Sequence, residues 1–322
     1  MAGCDGVKDD HRIPLAAVVG PTASGKTRLA VELALRTGGE VISADSMQIY
    51  KEMDVATAKP TKEEQKGVPH HLLDFLDASK TFSVAQYVDR ARVCVQEIHS
   101  RGKLPILAGG TGLYVSSLLN HVQFSEEDSH PEVRAELEKR LQAEGGEALL
   151  EELRRFDPQS AERLHPNNGK RILRAIEIYR VTGITMTEHL KQSRLTPCPY
   201  RMGVIGLDYR NRQTLYDRIN RRVDQMVEQG LLEEARRVLS SPHGMTARNA
   251  IGYKELVPWV NGESPLEEAL EKLKQSTRRY AKRQLTWFRR EEWVHWIYVD
   301  ECSGLEEVLQ KSLQYLEQRG VV

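Results

Sequence analysis

The sequence predicts an α/β protein with a parallel sheet flanked by helices and interrupted by an all-helical domain. Three observations predict it. Apolar runs of strand length alternate with amphipathic helical segments. One of those strands passes through a glycine-bearing loop into a helix, and residues 126–193 carry long charged helical patterns without a strand signal.

Residues 1–12 read as a polar tail, and Ile13–Val19 (IPLAAVV) as a buried strand that stops at Gly20. Arg28–Arg36 then repeats apolar residues at Leu29, Val31, Leu33 and Ala34, a helical period. Glu40–Ala44 (EVISA) and Leu104–Ala108 (LPILA) are further strand candidates, the second preceded by an amphipathic helix over Val84–Ile98. These elements place the first part of the sheet core at 13–123. The helical domain is expected over 124–198, with helices at Pro131–Glu144, Gly146–Phe156 and Gly169–Thr182. The core resumes over 199–322: a strand at 202–209 (MGVIGLDY), one long helix at Leu215–Leu239, a strand at Trp293–Val299 and a last helix at Leu305–Gln318.

Composition narrows the function classes. The 322 residues hold 46 Lys plus Arg against 46 Asp plus Glu, so global charge gives no argument for a nucleic-acid partner and local clusters must carry any such reading. Cys4, Cys94, Cys198 and Cys302 include no Cys-x-x-Cys pair, which argues against a zinc knuckle or a disulfide framework and for a reducing compartment. The apolar stretch nearest the start is too short to span a bilayer and lacks a signal-peptide pattern, so a cytoplasmic protein with no membrane partner is expected.

Gly20-Pro21-Thr22-Ala23-Ser24-Gly25-Lys26-Thr27 matches the phosphate-loop pattern G-x-x-x-x-G-K-[ST] between a predicted strand and a predicted helix. Chance would give the pattern about once in a hundred chains of this length, before context is counted. The glycines let the backbone curl so that N–H groups converge on phosphate oxygens at a helix N-terminus; Lys26 adds a point charge, and Thr27 can ligate Mg²⁺. The expected core is therefore P-loop NTPase-like. The loop reads charge and shape, so ATP, GTP and other pyrophosphate esters stay open. No apolar strand ending in Asp-Glu supplies the acidic pair of a hydrolytic nucleotide site.

Three further patterns bear on chemistry. Asp45 stands just past a strand end, where ligands bind in open α/β sheets; it acts as a base, caps the next helix or ligates Mg²⁺. Arg218 and Arg222 lie one helical turn apart on one face, with Arg221 on another. Over 278–290 (RRYAKRQLTWFRR), Arg278, Arg279, Lys282, Arg283, Arg289 and Arg290 interleave with Tyr280, Trp287 and Phe288. Such a stripe neutralises phosphates and stacks on exposed RNA bases, or else it is a solvated helix whose aromatics face a core. His70 and His71 lack the companions of a zinc site and are assigned no chemistry.

After the phosphate loop come Asp45–Tyr50, Thr57–Pro60, Pro69–His71, Gly109–Tyr114, His165–Asn167, Lys170–Arg174, Ala250–Lys254 and Thr277–Arg289. In this order they closely resemble the tRNA dimethylallyltransferase (tRNA isopentenyltransferase) family, over roughly residues 13 to 300. The resemblance implies transfer of a dimethylallyl group from dimethylallyl diphosphate to N6 of adenosine 37, beside the tRNA anticodon, with release of diphosphate. It implies that Gly20–Thr27, Arg218 and Arg222 hold the diphosphate, that Thr22 and Arg222 assist catalysis, and that Asp45 is the general base. The implied cofactor is Mg²⁺ at Thr27.

By the same resemblance, the tRNA anticodon stem-loop meets Asp45, Ser46, Met47, Gln48 and Thr111 in the core, and Arg134, Lys170, Arg171, Ile172, Leu173 and Arg174 in the helical domain. Arg248, Asn249, Ala250, Ile251, Gly252 and Tyr253 form another contact segment, and Arg278, Arg279, Lys282 and Arg283 a last one. The implied geometry is a clamp around the stem-loop with the target adenosine turned out. A monomer is expected, and the lack of a Cys/His zinc finger after residue 300 resembles the bacterial members. The competing readings are an adenylate isopentenyltransferase, a P-loop nucleotide kinase and a non-catalytic RNA-binding module.

Overall fold

A computed structural model describes residues 11–123, 130–192, 197–240 and 248–322. Cys4, most of the expected polar tail and the expected start of the helical domain at 124–129 lie outside the described residues. The chain forms two compact units, one built from residues up to Leu119 together with Pro199–Val322, the other from Asn120–Cys198.

The first unit is a helix-covered parallel sheet. Its strands are β1 (Ile13–Val19), β2 (Glu40–Ser43), β3 (His70–His71), β4 (Pro105–Gly109), β5 (Tyr200–Asp208) and β6 (Val294–Tyr298). Their spatial order is β3-β2-β4-β1-β5-β6, and every pair is parallel. Leu15 to Val19 are fully buried, as a central strand covered on both faces requires. The register sets Val19 opposite Gly109 and Gly206, and Ser43 opposite Ala108. The carboxyl ends of β1, β2 and β4 therefore finish nearly level, and the loops that follow them emerge at one edge.

The helices of this unit are α1 (Lys26–Thr37), α2 (Lys62–Gln65), α3 (Val84–Ser100) and α4 (Gly112–Leu119) before the second unit. Those of the second unit are α5 (Pro131–Phe156), α6 (Pro158–Glu162), α7 (Gly169–Thr182) and α8 (Met186–Gln192). After it come α9 (Arg212–Glu228), α10 (Leu231–Ser240), α11 (Val257–Val260), α12 (Leu266–Phe288) and α13 (Leu305–Gln318). Ser83 begins α3 with a reciprocal capping box to Gln86, which fixes where that helix starts. The single helix expected over 215–239 is two, because the chain turns at Gln229–Gly230 with Gly230 at φ 96°. Strand β3 has only two residues, too few to show a period in the sequence, and it forms by pairing Val41 with His70 and Ile42 with His71.

In the second unit, α5 is interrupted at Gly145 (φ 81°), which accounts for two helical patterns over one continuous segment. Its core is Leu137, Leu149, Leu153, Ile172 and Ile176, and no strand occurs in it among the described residues. No described helix is long and apolar enough to cross a membrane. Cys94, Cys198 and Cys302 carry no disulfide.

Candidate functional site

Strand β1 delivers the chain into the phosphate loop, and Gly25 caps the start of α1. Lys26 Nζ folds back to donate to the Pro21 carbonyl at 2.5 Å. Two arginines of α9 reach the same loop: Arg218 Nε donates to the Ala23 carbonyl at 3.0 Å, and Arg222 Nη1 approaches the Thr22 hydroxyl at 3.5 Å. Burial and then the neighbouring Arg222 bring the Lys26 amine down to about 7, against the opposing pull of Asp45. Burial also lowers Arg222, with Glu64 and Asp45 pulling the other way. Among the described residues no carboxylate lies within ion-pair distance of Lys26, Arg218 or Arg222. Lys26 and Arg222, desolvated and without counter-charge beside a helix N-terminus, form a site for a multiply charged anion, with the exposed Arg218 at its rim.

Asp45 lies two residues beyond β2. Its Oδ1 accepts the backbone N–H of Met47 at 2.9 Å and of Gln48 at 3.4 Å, a side-chain turn that holds the carboxylate at the sheet edge. The turn is braced from the loop after β4: Thr111 N–H donates to the Ala44 carbonyl at 3.1 Å, and Thr111 Oγ1 accepts the Ser46 N–H at 3.0 Å. Gly109 permits this approach, since a Cβ there would stand 2.2 Å from the Ala44 oxygen. Gln48 is also structural, donating from Nε2 to the carbonyls of Thr57 and Ala58 at 3.1 Å each.

Between these parts lies a cleft of about 350 Å³, the lower end of the range for small-molecule sites. Thr22, Lys26, Thr27 and Asp45 line its polar side. Ile219, Val223, Met226, Ile251 and Leu273 line the other with apolar surface. One side of the cleft thus suits phosphate oxygens, the other a short hydrocarbon, and a carboxylate faces both.

The IPP transferase family model matches residues 48–291. The chain belongs to that family. It is 47% identical over 307 residues to a protein named tRNA dimethylallyltransferase from Caldanaerobacter subterraneus subsp. tengcongensis, a match covering 94% of this chain and 98% of the relative. A tRNA dimethylallyltransferase from Halalkalibacterium halodurans is 50% identical over 297 residues, 92% of this chain and 94% of the relative. Among solved structures, the full-length tRNA isopentenylpyrophosphate transferase from Bacillus halodurans superposes with TM-score 0.70 at 44% identity, covering 96% of this chain and 98% of that one. A eukaryotic dimethylallyltransferase acting on tRNA gives TM-score 0.78 at 27% identity, over 95% of this chain and 77% of that one.

Of the residues carried over from the family, Thr22, Lys26, Thr27, Asp45, Ser46, Met47, Gln48 and Arg222 share the cleft, joined by Asn249, Ala250, Ile251, Gly252 and Arg283. Gly20, Pro21, Ala23 and Ser24 are buried and offer mainly backbone. Lys170, Arg171, Arg248, Arg279 and Lys282 are exposed. Several residues expected to meet RNA have side chains engaged within the protein. Ile172 and Leu173 are buried in the core of the helical unit, since α7 turns that face inward. Tyr253 is fully buried and donates its hydroxyl to Glu234 at 2.8 Å, while Glu234 also accepts the N–H groups of Asp54, Val55 and Ala56. Arg278 is tied to Asn220 at 2.7 Å and Glu271 at 2.9 Å. Arg134 and Arg174 both pair with the buried Glu177, at 3.4 and 3.1 Å.

The aromatic half of the 278–290 stripe also faces inward. Trp287 donates from Nε1 to Ser116 at 2.9 Å, and Phe288 is fully buried. Sequence reasoning passed over Gln284 and the apolar wall from α9. The signal for Gln284 was present: a polar residue on the stripe of Leu273, Ala281, Leu285 and Phe288 that α12 buries.

Proposed function

We propose that this protein is a tRNA dimethylallyltransferase that moves the dimethylallyl group of dimethylallyl diphosphate onto N6 of adenosine 37 in the anticodon loop. The observation that carries the reading is the pairing, in one cleft, of Lys26 and Arg222, neither with a carboxylate at ion-pair distance, and the Asp45 carboxylate with an apolar wall of short reach.

The allylic C1–O bond breaks and its electron pair leaves with the diphosphate. The N6 lone pair forms the new C–N bond at C1, and the N6 proton passes to the Asp45 carboxylate, whose Oδ1 is already oriented by the Met47 and Gln48 amides. Lys26, Arg218 and Arg222 stabilise charge that grows on the leaving oxygen, so they favour the transition state over the bound ester. Ile219, Val223 and Met226 give the hydrocarbon a dry surface.

The residues present fit a hard divalent cation. Thr27 offers a hydroxyl to the cleft, and among the described residues no group of three or more His, Cys, Asp or Glu forms a cage. Thr27 would hold Mg²⁺, which would supply further charge neutralisation on the diphosphate. Exposed Lys170, Arg171, Arg279, Lys282 and Arg283 serve the stem-loop phosphates. A cytoplasmic monomer is the form proposed.

The test is a mass spectrum of an unmodified anticodon stem-loop with three adenosines after the anticodon, incubated with protein, Mg²⁺ and dimethylallyl diphosphate. The reading requires one added C5H8 unit on the first of them. The same gain on AMP alone would make the chain an adenylate isopentenyltransferase, and ATP consumption without either product would make it a kinase.

A further inference from the structure

Gln284 is a polar side chain only 5% exposed, on the inward face of α12. Its Oε1 accepts the Thr22 N–H at 2.8 Å, and its Nε2 donates to the Gly110 carbonyl at 3.0 Å. One amide therefore bridges the phosphate loop after β1 and the turn after β4. The approach is close, because a Cβ on Gly110 would stand 2.0 Å from Nε2. Tyr280, one helical turn earlier, lies beside Thr111 and Gln284, and Thr111 follows Gly110 directly in the chain. Thr111 in turn holds the Ser46 N–H beside Asp45. A continuous set of bonds thus runs from the diphosphate loop to the turn that carries the carboxylate.

We propose that Gln284 is a positioning residue which locks the phosphate loop to the Gly110–Thr111 turn, so that leaving group and Asp45 stay at a fixed separation during transfer. The bridge needs an acceptor on one arm and a donor on the other, and the neutral primary amide supplies both. It also occupies the Thr22 N–H, which leaves the later amides of the loop to bind phosphate. The inference rests on the transferase reading above.

Two variants of the full chain test it. Gln284→Met keeps the length and removes both bonds; it should lower kcat roughly 10- to 100-fold while the stem-loop Kd stays within about twofold. Gln284→Glu keeps the acceptor but donates to Gly110 only when protonated, so its kcat relative to wild type should rise as pH falls from 9 to 6. A purely structural role would not produce that pH-dependent ratio. Wild-type kcat in Gln284→Met, or a ratio flat with pH in Gln284→Glu, overturns the proposal, and the second result decides if the first variant does not fold. Calorimetry with inorganic pyrophosphate separates this from failure of the transferase reading. If the wild type transfers nothing to the stem-loop, a roughly tenfold weaker pyrophosphate affinity in Gln284→Met still supports the lock, and an unchanged affinity overturns it.

Discussion

At the start of β2 the buried Glu40 carboxylate meets His71 Nε2 at 2.6 Å, Arg101 at 2.7 Å and Lys103 at 3.0 Å. Two residues beyond the end of the same strand, Asp45 faces a cleft where Lys26 and Arg222 have lost solvent without gaining a carboxylate partner at ion-pair distance among the described residues. Burial pushes the Glu40 carboxyl up, but the bonds from His71, Lys103 and Arg101 outweigh it and bring it down to about 2. Lys26 moves the other way for its type, down to about 7. One strand therefore has an ion-paired end that stabilises the sheet and an end without ion pairs that a multiply charged ligand completes. What separates structural charge from functional charge here is the presence of a partner, because the Glu40 carboxylate and the Lys26 amine are both desolvated.

The largest expected effect lies at the end without ion pairs. Asp45→Asn keeps an acceptor for the Met47 and Gln48 amides but loses proton acceptance, and should lower kcat roughly 10³-fold with stem-loop affinity changed less than about threefold. Normal turnover in that variant would break the comparison, since Asp45 would then be structural like Glu40. Lys26→Ala should weaken pyrophosphate binding roughly 30-fold in calorimetry. Glu40→Ala should cost about 2 kcal/mol in urea unfolding and leave kcat unchanged, because its cations are half-exposed and can rehydrate.

The smallest effects are in pH dependence, where the two ends occupy different windows. The contribution of Glu40 is fully present above about pH 4.5 and fades as pH falls towards 2. For Lys26 the unfolded chain holds the extra proton between about 7 and 10.5, so ligand-free stability rises with pH across that interval and is level below it. Pyrophosphate should flatten only the upper window and take up protons on binding at pH 8.5, measured by calorimetry in buffers of different ionisation enthalpy. Proton release there would contradict the charge imbalance assigned to the cleft.

The parts of this arrangement legible in the sequence are those written locally. Ile13–Val19 and the loop after it announce themselves through an apolar run and four spaced positions, Gly20, Gly25, Lys26 and Thr27. The helix over Gly169–Thr182 follows from its own periodicity. What stayed hidden depends on partners far along the chain: Gln284 meets Thr22 across 262 residues, and Glu234 meets Val55 across 179. Nothing near either residue announces the other. Ile172 and Leu173 show the converse limit, because a motif run names neighbours without saying which face of α7 each one takes.

The pairing of β1 with β5 has a consequence for how the chain is made. Residues 13–19 leave the ribosome well before the strand that seals their second edge, which begins at Tyr200. At about 5–20 residues per second the wait is roughly 10–40 s, during which an apolar strand edge is open. The helical unit needs no such delay, as its core joins segments between Leu137 and Ile176. Synthesis thus releases every core segment of the helical bundle before the strand that closes the second edge of β1.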